Sequence, residues 1–170
     1  MADYIIPLKE REGIGGRRRY GRLELVYIPI HMFRIKFQAK SGAIGETLAG
    51  VDGLVGEFAF LRENGLRFAE TPDGESFEAT IGRQIAQDVV SDNFRWRWIQ
   101  MGLRRRRPLK LEEIRYEDIG YYPFWVGYYK KGSRLGFHCW DAVSGKKGGI
   151  KTKRALLVAF LNRHQEESGR

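Results

Sequence analysis

The 170-residue sequence has little of several residue types, and each shortage excludes a class of protein or site. A single cysteine, Cys139, excludes an internal disulfide. Together with three scattered histidines, His31, His138 and His164, it cannot form a Cys-rich structural zinc site. No run of about 18 apolar residues is present, and the first residues lack an apolar signal-peptide core. We therefore expect no transmembrane segment and no export, and a cytoplasmic location.

What the sequence does contain predicts one folded, basic domain over residues 1–170. Hydrophobic residues make up 42% of the chain and aromatic residues 13%, which is too much for a disordered protein. The net charge is +9, and its distribution is uneven. Residues 1–85 hold 12 basic and 12 acidic side chains, whereas residues 86–170 hold 18 and 9. Such an excess favours a polyanionic partner, and a basic face kept for solubility is the alternative.

Two segments of the sequence resemble each other and predict an internal repeat, over about 23–91 and 117–164. Each has an aromatic and β-branched stretch around a proline, a second strand-like stretch, and then Asp, three residues and Gly. Pro29 and Pro123 are 94 residues apart, and the two closing turns are Asp52 to Gly56 and Asp141 to Gly145. Chance similarity between two strand pairs is the alternative.

Each copy has the composition of a β-hairpin followed by a turn. Strands are predicted at 25–37 and 119–130, with hairpin loops at 39–45 and 130–133. The prolines indicate that the strands begin at, or lie on, a sheet edge. In the closing turns the Asp carboxylate can accept hydrogen bonds from backbone N–H groups, and the Gly supplies a positive φ. Asp52, Gly56, Asp141 and Gly145 are thus predicted to be structural residues.

A helix is predicted after each hairpin, at 77–90 with Ser76 as a possible N-cap, and at 153–164. The expected fold class is α+β, an antiparallel sheet built from two related β-hairpin-plus-helix halves with the helices on one face. The apolar run in 155–161 indicates a helix that is buried on most sides. Residues 94–118 fit a strand or a longer helix equally well.

The run from Tyr121-Tyr122-Pro123-Phe124-Trp125 to Asp141-Ala142-Val143-Ser144-Gly145-Lys146 resembles the PepSY-like modules, small cystatin-like hairpin units common in bacteria. The first copy differs by having Val55 at the position of Ser144. The resemblance covers about 30 residues per copy. It implies a hairpin fold and a non-enzymatic module, and some relatives are thought to restrain peptidases.

One candidate for polyanion binding lies in the connector and alternates aromatic and basic residues. Its candidate residues are Arg95, Trp96, Arg97, Trp98, Arg104, Arg105, Arg106 and Arg107. Aromatic rings stack on the bases of single-stranded nucleic acid while arginines neutralise phosphates. An interfacial membrane segment, or core aromatics beside a solvated arginine loop, are the alternatives.

A second candidate is the glycine and lysine segment 145–153, which nearly matches a phosphate-binding loop. Ile150 occupies the position that the loop requires to be glycine, so a nucleotidase is not expected. Glycine N–H groups and a helix start still form a plausible anion site with nearby cations. These cations are Lys146, Lys147, Lys151, Lys153 and Arg154. A flexible basic loop is the alternative.

The remaining features of the sequence are the N-terminal residues and the adjacent His138 and Cys139. Residues 1–20, with three arginines at 17–19, predict a flexible basic arm. His138 and Cys139 are adjacent on a strand and should point to opposite faces, so no catalytic pair, metal site or cofactor is predicted.

The sequence thus predicts a non-enzymatic binding module whose partner is nucleic acid or another polyanion. A protein-interaction module using a sheet edge, and peripheral membrane binding, are the competing interpretations.

Overall fold

The computed structural model describes residues 3–9, 14, 20, 22–62, 66–105 and 109–168, and only the backbone of residues 98, 99, 101–105, 109, 166 and 167. Eight strands and two helices lie in this part of the chain. Their order is β1 (Asp3–Ile5), β2 (Arg22–Ala39), β3 (Ile44–Asp52), β4 (Phe58–Leu61), β5 (Phe68–Ala69), β6 (Glu75–Ser76), α1 (Arg83–Arg105), β7 (Leu109–Lys131), β8 (Arg134–Asp141) and α2 (Ile150–Ser168). The predicted α+β class is confirmed as a mixed, mostly antiparallel sheet with two helices.

The centre of the sheet is a long antiparallel pair formed by β2 and β7. The pairing runs from Arg22 opposite Tyr128 to Ala39 opposite Leu109, and both strands are rich in the β-branched and aromatic residues that favour pleated surfaces. On the outer sides, β3 pairs with β2 and β8 pairs with β7, both antiparallel, and β4 follows β3 at the edge. The two predicted hairpins are therefore present, with loops between β2 and β3 and between β7 and β8.

Three short strands complete the sheet. β1 is parallel to β7, with Tyr4 opposite Tyr121, and β5 pairs antiparallel with β1. β6 is parallel to β2, with Tyr27 opposite Ser76. Ile5 is fully buried, so residues 3–9 depart from the predicted flexible arm because they supply a strand and a core side chain. The arginines at 17–19 lie outside the described residues.

The prolines occupy the two central strands, so the prediction that they begin a strand or lie on a sheet edge is wrong. Pro29 is opposite Tyr121, and Pro123 is opposite Tyr27. Each carbonyl accepts a hydrogen bond from the turn that follows the hairpin, Pro29 O from Gly53 N at 2.8 Å and Pro123 O from Ala142 N at 3.1 Å. Pro29 lies between the residues of β2 that pair with β6 and those that pair with β3. Pro123 lies between the residues of β7 that pair with β1 and those that pair with β8. A missing N–H at such a gap breaks no ladder hydrogen bond.

The two helices lie on opposite faces of the sheet, which corrects the prediction of one shared face. Val26 and Ile28 of β2 belong to the core cluster that contains α2, whereas Phe33 and Ile35 belong to the cluster that contains α1. Successive side chains of a strand point to alternate faces, so residues an odd number apart face opposite ways. Helices α1 and α2 therefore pack on different sides of the sheet.

Helix α1 begins six residues later than predicted and continues into the stretch that the sequence left open. Residues 80 and 81 are tied to the Asp52 turn instead, since both backbone N–H groups donate to Gly53 O at 2.8 Å. The buried side of α1 consists of Ala86, Val90 and Phe94, whereas Ile85 is 57% exposed. Ser76 lies in β6, so it is not the N-cap.

Helix α2 contains the predicted segment and extends it at both ends. Its buried side is small and apolar, formed by Ala155, Leu156 and Ala159. Leu157 and Leu161 are about half exposed, so α2 is buried on one side and not on most sides as predicted. In the described part of the chain, neither helix has the length and apolar content needed to cross a membrane.

Candidate functional site

The site is built on two turns that have the same hydrogen bonds. In the Asp52 turn, Oδ1 of Asp52 accepts from the backbone N–H of Leu54 at 2.7 Å and of Val55 at 3.0 Å. Gly56 N donates to Asp52 O at 3.0 Å, and Gly56 has a φ of 75°, which favours glycine. The Asp52 carboxylate is thus held in place by its own turn.

The Asp141 turn repeats this arrangement after the second hairpin. Oδ1 of Asp141 accepts from Val143 N at 2.8 Å and Ser144 N at 3.0 Å. Gly145 N donates to Asp141 O at 2.8 Å, and Gly145 has a φ of 74°. The structure therefore gives Asp52, Gly56, Asp141 and Gly145 the turn geometry that the sequence predicts.

The two carboxylates differ in what lies beside them. The hydroxyl of Tyr122 donates to Asp141, with 3.1 Å to each carboxylate oxygen. The residue opposite Tyr122 on β2 is Ile28, which has no polar group to offer. Among the described residues, no donor reaches Oδ2 of Asp52.

A pocket of about 410 Å³ lies between the two turns on the face of the sheet that carries α2. Its floor is apolar and partly aromatic, and comes from alternate residues of the central strands and of β4. The floor residues are Ile28, Ile30, Tyr122, Phe124, Ala59 and Leu61. The rim is charged and is formed by Asp52, Glu57, Asp141, Lys146, Lys147 and Lys151. A floor of this kind suits a flat apolar group, and the lysines suit an anion.

Burial shifts the pKa of Asp52 on the rim and of Tyr122 on the floor. Removal from water raises the pKa of Asp52, an effect that outweighs the two backbone N–H groups, and the nearby Glu57 charge raises it further. Burial also raises the pKa of Tyr122, with the charge and hydrogen bond of Asp141 acting in the same direction. At neutral pH the Tyr122 hydroxyl is therefore a donor to Asp141.

The basic side of the rim is the segment that nearly matches a phosphate-binding loop. Gly148 N donates to Cys139 O at 2.8 Å, and Lys147 forms a bridge with Trp140, so the loop runs along β8 instead of curling around a phosphate. Ile150 is 87% exposed at the first position of α2. Lys146, Lys147 and Arg154 are exposed, and Nζ of Lys151 lies 2.5 Å from Oε2 of Glu57. Lys153 is half-buried in the first turn of α2.

The other predicted basic stretch lies on α1, against the opposite face. Trp96 is 62% exposed, and Arg95 is exposed beside it. The Arg97 guanidinium lies over two rings of β4, 5.3 Å from the centroid of Phe58 and 5.8 Å from that of Phe60. Trp98, Arg104 and Arg105 are described by their helical backbone alone, and Arg106 and Arg107 lie outside the described residues.

Strand β4 lies between the two basic stretches in space. All four residues of β4 line the pocket, and the rings of Phe58 and Phe60 also contact Arg97 of α1. Because β4 is the edge strand, only its width separates Arg97 from the pocket. The two stretches therefore do not share one face, but they adjoin the same edge.

Sequence reasoning missed Tyr122, Glu57 and the apolar floor as parts of a site. In the sequence Tyr122 lies within a predicted strand, and its position 94 residues after Ile28 marks it as the counterpart of an apolar residue. The floor combines residues far apart in the chain, and only the pairing of β2 with β7 brings them together.

His31, His138 and Cys139 take part in packing within the described residues, whereas His164 is exposed on α2. His31 is 2% exposed, and its Nε2 lies 2.7 Å from Ile81 O while its Nδ1 lies 3.3 Å from the Tyr116 hydroxyl. Nδ1 of His138 lies 2.7 Å from the Tyr20 hydroxyl. Cys139 is in the core cluster of α2, and burial raises the pKa of its thiol. No group of three His, Cys, Asp or Glu side chains in the described ranges is placed to hold a metal ion.

Comparison with known proteins found no relative of this chain: no family model, no curated protein and no solved structure matches it.

Proposed function

We propose that the protein is a non-catalytic binding module for single-stranded nucleic acid, and that the pocket beside α2 receives one of its bases. The observation that carries this proposal is the combination of an apolar, aromatic floor with a lysine rim in one cavity of about 410 Å³. Bases need a flat apolar surface to stack on, and phosphates need cations next to it.

The phosphate contacts are assigned to the start of α2 and the loop before it. Lys146 and Lys147 are exposed at the rim, and Arg154 is exposed just after the first turn of the helix. A helix N-terminus adds a partial positive charge to these side chains. Lys151 contributes less, because its charge is already paired with Glu57.

The base contacts are assigned to the rings on the pocket floor. Tyr122 and Phe124 lie with their centroids 5.3 Å apart and their planes tilted by 43°. Stacking on such rings contributes about 1 to 3 kcal/mol per base. A nucleic-acid strand that leaves the pocket and passes over β4 then reaches Arg97 and the exposed Trp96 on α1. The proposed binding surface therefore extends around the edge of the sheet.

We also propose that the two hairpins and their closing turns are related halves, as the internal repeat predicts. The support is that the β2–β7 pairing places Ile28 opposite Tyr122 and the two prolines at equivalent steps on either side. The short parallel strands agree, since β6 meets β2 at Tyr27 and β1 meets β7 at Tyr121, 94 residues later. The helices lie on opposite faces, so the proposed repeat is limited to the strands and turns. The PepSY-like resemblance of this unit stays a prediction.

The test is fluorescence anisotropy with a labelled single-stranded 12-mer across a series of salt concentrations. With about three phosphates neutralised, the logarithm of the affinity should fall against the logarithm of salt with a slope of about −2. The double variant Lys146→Glu/Lys147→Glu should lose at least about tenfold in affinity at low salt and show a shallower slope.

A matched control removes the same charge elsewhere. Lys130→Glu/Lys131→Glu changes two exposed lysines of the β7–β8 hairpin, away from the pocket. This variant should bind within about threefold of the wild-type chain, since its charges act only at long range. Equal losses in both variants would show that net charge alone is responsible, and an affinity that does not weaken with salt would remove the phosphate contacts.

A further inference from the structure

In the part of the chain that the structure describes, the Asp52 turn leaves one carboxylate oxygen without a partner at the rim of the pocket. Oδ1 of Asp52 accepts two backbone hydrogen bonds, whereas none of the described donors reaches Oδ2. At the equivalent turn, the Tyr122 hydroxyl takes this role for Asp141. Ile28 stands in the place of that tyrosine and is 2% exposed, so the floor beside Asp52 is apolar.

A half-buried carboxylate oxygen beside an apolar floor gains from a donor that a ligand brings. Leaving such an acceptor unpaired costs free energy, and a hydrogen bond to a charged group is stronger than one between neutral groups. The raised pKa of Asp52 agrees with a carboxylate that the protein only partly compensates. The turn fixes the carboxylate before any ligand arrives, so little ordering is needed on binding.

We propose that Asp52 selects the base in the pocket by accepting a hydrogen bond from an exocyclic amino group. This inference rests on the proposed function, because it takes single-stranded nucleic acid as the ligand. Carboxylates pair with the amino group of cytosine, whereas uracil presents a carbonyl oxygen at the same position and meets Asp52 with repulsion. The module therefore prefers cytosine to uracil at the pocket.

The stacking rings and the lysines do not distinguish these two bases. Phe124 and Tyr122 offer a surface to any base, and Lys146 and Lys147 contact phosphates that both strands share. The selectivity is therefore assigned to Asp52 alone, and a change at this one residue should alter it without abolishing binding.

The experiment compares the affinities of a 12-mer of deoxycytidine and a 12-mer of deoxyuridine, which carry the same charge. The wild-type chain should bind the cytidine strand at least about fivefold more tightly, near the low end of what one good base contact provides. Asp52→Asn should equalise or invert this preference. Its side-chain oxygen can still accept from Leu54 and Val55, while its amide group can donate to the uracil carbonyl.

Asp141→Asn is the matched control, because Asp141 already has Tyr122 as its partner. This variant should keep the wild-type preference for cytidine. If the wild-type chain binds both strands equally and with a steep salt dependence, base selection is wrong while the polyanion function stands. If neither strand binds, both proposals fail. If Asp141→Asn changes the preference as much as Asp52→Asn does, the assignment to Asp52 is wrong.

Discussion

The Asp52 turn and the Asp141 turn have the same backbone hydrogen bonds, and they differ in the residue that lies beside the carboxylate. At Asp141, the Tyr122 hydroxyl completes the set of partners within the protein. At Asp52, the corresponding neighbour is Ile28, and the second oxygen is left at the edge of a pocket. Under the proposed function, the same local structure contributes to stability at Asp141 and contacts the ligand at Asp52, and the difference depends on a single side chain of the neighbouring strand.

The largest expected difference between the turns is in stability. Asp141→Ala removes the acceptor for Val143 N, Ser144 N and the Tyr122 hydroxyl, and should lower the free energy of unfolding by about 2 to 4 kcal/mol. Asp52→Ala removes two backbone partners and should cost about 1 to 2 kcal/mol. Urea denaturation of both variants measures the difference.

Tyr122→Phe is the control for this comparison, because it removes only the hydroxyl that distinguishes the turns. It should lower the free energy of unfolding by about 1 kcal/mol. An Asp52→Ala variant that is as unstable as Asp141→Ala would mean that the Tyr122 hydroxyl does not account for the difference.

A smaller effect is expected in the pH dependence of stability. Burial raises the pKa of Asp52 in the folded state, so the folded chain binds more protons than the unfolded chain just above the unfolded pKa of about 4. The free energy of unfolding of the wild-type chain, minus that of Asp52→Asn, should fall as pH rises through this window. Denaturation curves from pH 3.5 to 7 measure it.

The contribution of Glu117 to the free energy of unfolding should change with pH in the opposite direction to that of Asp52. Burial raises its pKa, but hydrogen bonds and charges of Arg115 and Arg34 outweigh burial and lower it. The free energy of unfolding of the wild-type chain, minus that of Glu117→Gln, should therefore rise as pH increases toward the unfolded pKa of about 4. Below this range the stabilisation is lost, because the Glu117 carboxylate is protonated. The same sign for both residues would contradict the account of Asp52.

The hairpins and turns could be predicted because their signals are local. Asp, three residues and Gly after a strand-like stretch specify a turn whose hydrogen bonds lie within five residues, and both such turns form as expected. The helix at 150–168 was also visible as an apolar run. The aromatic and β-branched stretches around Pro29 and Pro123 indicate strands, but the gap between neighbouring strands that accommodates each proline depends on β1 and β6.

The rest depends on contacts between distant parts of the chain. The start of α1 is set by the hydrogen bonds of residues 80 and 81 to Gly53, which periodicity within 77–90 does not reveal. The face on which each helix lies is seen only from its packing partners on β2, which are Val26 and Ile28 for α2 and Phe33 and Ile35 for α1. The pocket exists because β2 and β7, almost a hundred residues apart, place Ile28 beside Tyr122.

The most direct test of the central claim, that a single strand binds at the pocket beside α2, is a map of backbone amide chemical shifts on titration with the 12-mer of deoxycytidine. The account predicts the largest changes at Gly148, Gly149 and Lys151, with changes at Asp52 and Ala59 and little change at the β7–β8 hairpin loop. Changes that spare the pocket and cluster at Lys130 and Lys131 would contradict it.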